Sequence, residues 1–278
     1  MSAVRKAVVV GTLRKSQMKE QLVKGKRLDG RDLLQQRNLS IELGVIEKAS
    51  GSARVRLGDT EIVAGAKVET GRPFPDTPDQ GLLIVTAEVL PIASAYAEPG
   101  PPNEEAIELA RVSDRGIRES GMLDFSKLMI KKGEHVYSVF VDVAVLNDDG
   151  GLFDAASYAI VSALSTAKRP NTDLAEDGSL IVSDETSDLD VKTLPIATTF
   201  AKIHGKIVFD PNTEEQAMME ARLTLVTDSE GKFVAGQKGG SGVFTFDEMK
   251  ELARISAERG IEIRKAVRDT IDNGSQKT

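Results

Sequence analysis

Apolar residues fall on alternate positions from Leu39 to Ala66, and the same style of strand returns after residue 193, each time ahead of a helix. Leu39, Ile41 and Leu43, then Ala53, Val55 and Leu57, then Ile62, Ala64 and Ala66 carry the first period-two pattern, and Gly58-Asp59 between the last two runs reads as a hairpin turn. Further strands are predicted at Leu82–Leu90 and Val136–Leu146, and in the second half near Ile196–Ile203, Lys206–Phe209, Ala221–Thr227 and Phe233–Gln237. Strands followed by helices, twice over, point to an α+β protein of two βα lobes.

Three helices have readable limits. Asn103 caps the first after Pro101-Pro102, and Glu104 and Glu105 suit the positive end of its dipole. The second, from Ala155 to about Ala167, is apolar on nearly all sides and is therefore expected to be buried. The last opens with the capping-box pattern Thr245-Phe246-Asp247-Glu248 and extends to about Ile271, with an irregularity expected at Gly260. The organisation predicted is an N-terminal arm over 1–24, helical and only partly packed, a first lobe over 25–170, an acidic linker over 171–192 and a second lobe over 193–278.

The chain of 278 residues has no cysteine, which removes disulfides, thiolate metal sites and a Cys nucleophile. His135 and His204 sit in strand-like apolar runs without metal-ligand spacing, so neither a metal nor a cofactor is expected. No stretch reaches the roughly 18 apolar residues of a membrane span, and no cleavage pattern follows the short apolar run Ala7–Val10. The expectation is a cytoplasmic protein without membrane contact. With 36 Lys and Arg against 43 Asp and Glu, any nucleic-acid binding must come from cations gathered on one surface.

Arg111, Arg115 and Arg118 form such a group on the first helix, at i, i+4 and i+7. Spacing alone leaves two readings open: a solvated face with carboxylate partners, or planar forks at one-turn intervals suited to successive phosphates of a single strand. Gly236–Gly242 precedes the last helix and reads as a flexible loop rather than a Walker-type cradle. Asp148-Asp149-Gly150-Gly151 reads as an ordinary turn, and Asp210, Glu214, Glu215 and Glu220 as solvated surface rather than a metal site.

Taken in order, several of these segments resemble the RNase PH family. The opening Arg27-Leu28-Asp29-Gly30-Arg31, the hairpin Ser50-Gly51-Ser52-Ala53 with Leu57-Gly58-Asp59-Thr60, and Gly150-Gly151 before an Ala-rich helix match its pattern. The helix over 103–120, Asp76–Gly81 and Pro99-Gly100-Pro101-Pro102 resemble the non-catalytic ring subunit of an archaeal exosome more than its catalytic sister. The resemblance implies an RNase PH fold, with an N-terminal lobe like domain 2 of ribosomal protein S5. It also implies a hexameric ring of three heterodimers, RNA-binding cap subunits and single-stranded RNA as partners.

Active members of that family attack the 3′-terminal phosphodiester of RNA with inorganic phosphate, and use Thr/Ser-Arg-Thr/Ser-type anchors after the Gly-Gly turn plus two aspartates. Here the anchor positions are Leu152, Phe153 and Asp154, two apolar groups and a charge expected to repel an anion. The aspartate positions align with Gln216 and Arg222, which supply neither proton donor nor acceptor of useful pKa. The resemblance thus implies no catalysis by this chain, and RNA backbone binding by Arg111, Arg115 and Arg118. Two alternatives are a homohexameric phosphorolytic enzyme that trims tRNA ends and an RNA-binding scaffold without a catalytic partner.

Overall fold

The computed structural model describes residues 10–95 and 97–275. Helix α1 (Thr12–Val23) leads into the period-two region, which folds as antiparallel strands β1 (Leu39–Leu43), β2 (Gly51–Leu57) and β3 (Thr60–Gly71). Next come β4 (Leu82–Val89), helix α2 (Glu104–Ser120), the short β5 (Met129–Lys131) and the long β6 (His135–Asn147). The sheet order is β1-β2-β3-β6-β4, with β5 folded back on the start of β6. Only β4 and β6 run parallel, because a crossover containing α2 joins them.

Helix α3 (Leu152–Ser165) follows, and the chain then forms a two-stranded hairpin of β7 (Lys168–Leu174) and β8 (Leu180–Asp188). The second sheet, β10-β9-β11-β12, is antiparallel and contains β9 (Ile196–Ile203), β10 (Lys206–Phe209), β11 (Ala221–Thr227) and β12 (Phe233–Gly239). Helix α4 (Thr213–Met218) connects β10 to β11, and α5 (Phe246–Ser275) closes the chain. The predicted capping box is present in α5: Thr245 N donates to Glu248 at 2.7 Å, and Glu248 N donates back to the Thr245 hydroxyl at 3.2 Å. No irregularity occurs at Gly260, where the helix passes so close to β11 that a Cβ would lie 2.6 Å from the Thr227 hydroxyl.

The axis of the molecule is α3, which packs on β2 and β3 of the first sheet and on β9 of the second. All of its residues except Ser157 and Ser165 are buried, as its uniformly apolar composition requires. It starts three residues earlier than its Ala-rich run predicts, so Leu152, Phe153 and Asp154 form its first turn. Each large side chain buried here, such as Ile160 or Leu164, contributes about 1.5–3 kcal/mol of transfer free energy. Tyr158 is buried as well, and its hydroxyl donates to the Ala197 carbonyl of β9 at 3.1 Å.

A buried charged cluster ties the chain's early segment to the second lobe. The Arg27 side chain donates to Glu215 Oε1 at 2.7 Å and to the carbonyls of Phe209 (2.7 Å) and Asp210 (2.9 Å), and it also bonds the second Glu215 oxygen. Asp210, fully buried and at φ +50°, accepts from Arg37 Nη2 at 2.6 Å, from the Arg37 backbone at 2.8 Å and from Arg31 Nη1 at 3.1 Å. Burial disfavours the Arg37 charge, but its bonds to Asp210 more than compensate and raise its pKa. Arg37 continues to the carbonyls of Asp149 (2.7 Å) and Gly150 (3.1 Å). Both glycines of that turn have positive φ, and a Cβ would sit 2.6 Å from the Pro211 carbonyl at Gly150 or 2.5 Å from Arg37 Nη2 at Gly151.

Several expectations need correction. Asp210 and Glu215 are not solvated surface, because buried arginines pair with both; Glu214 does face outward, where it pairs with Arg14 at 3.0 Å. The arm is docked more firmly than expected, with Met18 and Leu22 buried against Ala201, Ile203 and Val208 of the second sheet. Residues 1–9 of that arm lie outside the described residues. His135 heads β6, whereas His204 is exposed in the turn between β9 and β10, with φ +47°.

Asp154 departs furthest from expectation. Its carboxyl is fully buried, accepts from the Thr199 backbone at 3.0 Å and lies 2.6 Å from the Thr199 hydroxyl. Thr199 in turn lies 2.9 Å from the Thr224 hydroxyl, so the contact joins α3 to β9 and β11. Burial pushes the Asp154 carboxyl up to about 8, partly offset by the Thr199 bonds. It therefore exposes no charge to repel an anion; it is an internal link between the lobes.

Two outcomes follow. Asp210→Ala strands two buried guanidinium groups and is expected to cost about 3–5 kcal/mol, measured as a shift in the urea unfolding midpoint. The Asp154 carboxyl titrates near 3.9 when unfolded and at about 8 when folded, so folding takes up a proton between those values. Its contribution is full below about pH 4 and is lost as pH rises towards about 8. Asp154→Asn, which mimics the neutral acid, should remove that decline and gain on the parent by on the order of a few kcal/mol at the alkaline end. Parallel pH profiles for variant and parent would contradict a buried neutral acid.

Candidate nucleic-acid interface

Helix α2 forms where the sequence places it. The Asn103 side chain accepts from Ala106 N at 2.9 Å, and Gly121 ends the helix in the left-handed conformation at φ +66°. Ala106, Leu109, Val112, Gly116 and Ile117 form its buried face, set against β4, α3 and β12. The apolar stripe fixes which way the helix rolls, and so turns Arg111, Arg115 and Arg118 outward. With Val85, Ala110, Asp114 and Glu119 these three arginines line an open groove of about 310 Å³.

The three arginines are not equivalent. Arg118 pairs with Asp114 at 2.9 Å, donates to the Leu83 carbonyl at 3.1 Å and lies 5.1 Å over the Phe125 ring. Those contacts hold it to the first lobe. Arg111 and Arg115 are exposed and have no ion pair among the described residues, and Arg115 makes one long contact, 3.4 Å, to the Gln237 side-chain oxygen. Two guanidinium groups therefore stand open, four residues apart on one helix face.

The positions aligned with the anchors and aspartates of active members only partly converge. Phe153, on the first turn of α3, is stacked by the Arg222 guanidinium at 4.2 Å. Arg222, on β11, donates to Glu108 of α2 at 2.7 Å. Glu108 also accepts from the Gln237 side-chain amide at 3.1 Å. Leu152 is buried beside Phe153, whereas Asp154 points into the lobe interface described above. Gln216 stands on α4 and makes no hydrogen bond to Phe153, Arg222 or Glu108 among the described residues.

An aromatic ring, a stacked guanidinium and a carboxylate thus occupy the meeting point of α2, α3 and β11. Among the described residues the carboxylate at this point is Glu108, and it is paired with the Arg222 cation. Sequence reasoning missed Glu108 and Gln237. Glu108 lies 114 positions from Arg222 and Gln237 lies 129 from Glu108, so no local pattern connects them. Among the described residues no group of three or more His, Asp or Glu side chains is arranged to hold a metal, and no helix is long and apolar enough to cross a membrane.

Comparison with known proteins places this geometry. Residues 35–170 match the model for domain 1 of the 3′ exoribonuclease family, and residues 193–259 match domain 2. The exosome complex component Rrp42 of Thermococcus gammatolerans is 46% identical over 255 residues, 91% of this chain and 93% of its own. Its counterpart from Thermococcus kodakarensis is 45% identical over 260 residues, 93% of this chain and 96% of its own. Among solved structures, a chain of the Archaeoglobus fulgidus exosome with RNA bound to the active site superposes with a TM-score of 0.83 at 41% identity, covering 91% of this chain and 97% of that one. With both domains matched in order and relatives this similar along nearly their whole length, the chain belongs to the RNase PH family of 3′ exoribonucleases.

Proposed function

We propose that this chain is a non-catalytic subunit of an archaeal-type RNA exosome, a complex that degrades RNA from its 3′ end with phosphate. Its relatives carry the name of an exosome component, and a similar solved chain comes from an exosome with RNA in its active site. The observation that supports the non-catalytic reading is the stack of Phe153, Arg222 and Glu108, because the resemblance aligns position 153 with a phosphate anchor and position 222 with an aspartate of active members. A guanidinium carries only hydrogen-bond donors and no acceptor, so Arg222 does not replace a carboxylate.

In this reading the chain holds RNA through Arg111 and Arg115 while a catalytic RNase PH-like partner carries out phosphorolysis. Two exposed guanidinium groups one turn apart suit the backbone of a single strand, and such contacts position RNA without reading its sequence. Arg118, exposed but held by Asp114 and the Leu83 carbonyl, is less free than Arg111 and Arg115 to meet a phosphate. The partners proposed are the catalytic subunit, arranged with this one as three heterodimers in a hexameric ring, and RNA-binding caps. Apolar side chains left in solvent, such as Ile92 at 77% exposure and Ile107 at 48%, fit a chain that is covered by neighbours.

The test is RNA binding by the assembled complex carrying Arg111→Ala and Arg115→Ala. Affinity for single-stranded RNA is expected to fall roughly tenfold, and the slope of log affinity against log salt to become shallower by about 0.7 for each phosphate that the variant no longer neutralises. Unchanged affinity and slope would return the stripe to a solvated face.

A further inference from the structure

Glu108 lies three residues before Arg111 and seven before Arg115, which puts it at one end of the same stripe. A glutamate at this spacing pairs readily with an arginine one turn on. Arg111 nevertheless has no ion pair among the described residues, and the Glu108 carboxylate pairs with Arg222 instead. One oxygen accepts from both Arg222 (2.7 Å) and Gln237 (3.1 Å).

Arg222 has little freedom to let go. Its residue is only 9% exposed, Phe153 covers one face of the guanidinium at 4.2 Å, and a Cβ on Gly239 would come within 3.0 Å of Nη2. Its Nε is buried with no hydrogen-bond partner, and Glu108 is the one carboxylate in an ion pair with it among the described residues. The amide of Gln237, bonded to the same carboxylate, turns its oxygen towards Arg115.

We propose that Arg222 is a positioning residue for RNA: it holds the Glu108 carboxylate away from Arg111 and leaves the Arg111 guanidinium free to meet a phosphate. Position 222 then does more than lack a carboxylate. Without Arg222, Glu108 would neutralise Arg111 at i+3 and repel an approaching phosphate from the same spot. This inference rests on the reading of the arginine stripe as the RNA-binding face.

The experiment measures affinity of the assembled complex for end-labelled oligoadenylate over a range of salt, with Arg222→Met, Glu108→Gln, the double variant and Arg111→Ala. Arg222→Met should weaken binding by about threefold to tenfold, and adding Glu108→Gln should restore it. Glu108→Gln alone should bind at least as tightly as the parent, and weakening in this arm overturns the proposal even if Arg222→Met does not assemble. In the Arg111→Ala background, Arg222→Met should have no further effect. Weakening by Glu108→Gln alone, or no rescue in the double variant, would make the ion pair a purely structural tie and overturn the proposal. Unchanged binding by Arg111→Ala would instead overturn the reading of the stripe. Weakening by Arg111→Ala with none by Arg222→Met would overturn only the role given to Arg222.

Discussion

The buried carboxylate of Asp210 is where the separate parts of this chain meet. It receives Arg31 and Arg37 from the segment before β1, while its neighbours Phe209 and Glu215 receive Arg27. Arg37 also holds the Asp149-Gly150 carbonyls, so one ionic cluster fixes the N-terminal segment, the turn before α3 and the connection between β10 and α4. Buried charges are costly unless their bonding capacity is met, and nearly every oxygen and nitrogen here has a partner. Arg31 Nη2 is the exception, a buried nitrogen without a hydrogen bond that lies 4.0 Å from Glu215.

From that cluster the orientation of the arginine-bearing face follows by packing. The Gly150-Gly151 turn has no room for a Cβ, so α3 begins tight against the cluster and sends Phe153 towards β11 and Asp154 into β9. The two lobes share α3 as a common core element, and α2 lies across the first sheet, α3 and β12. Glu108 and Arg222 then join α2 to β11, and the arginines on the outer side of α2 inherit a fixed orientation from contacts beneath them.

Much of the fold was legible in the sequence because it rests on local signals. The alternation in β1–β3, the Gly58-Asp59 turn, the Asn103 cap and the Thr245–Glu248 box each need only a few adjacent residues. The arginine stripe was equally legible as a helical spacing, although its meaning was not, since exposure depends on which face is buried. What escaped were the long-range pairings. Asp210 and Glu215 look like surface acids until Arg27 and Arg37 are brought to them across more than 170 positions. Asp154 looks like a charge at a helix start until β9 closes over it. The motif Arg27-Leu28-Asp29-Gly30-Arg31 marked the family by resemblance, and the structure gives it a physical role as half of the ionic cluster.

Under the function proposed for it, this chain binds and positions RNA but does not cleave it. The most direct measurement is phosphate-dependent release of nucleoside diphosphate from end-labelled single-stranded RNA, by the purified chain alone and then mixed with a catalytic RNase PH-like partner. The account predicts release only in the mixture. Sustained turnover by the lone chain would contradict it and make the Phe153–Arg222–Glu108 stack part of a working active site.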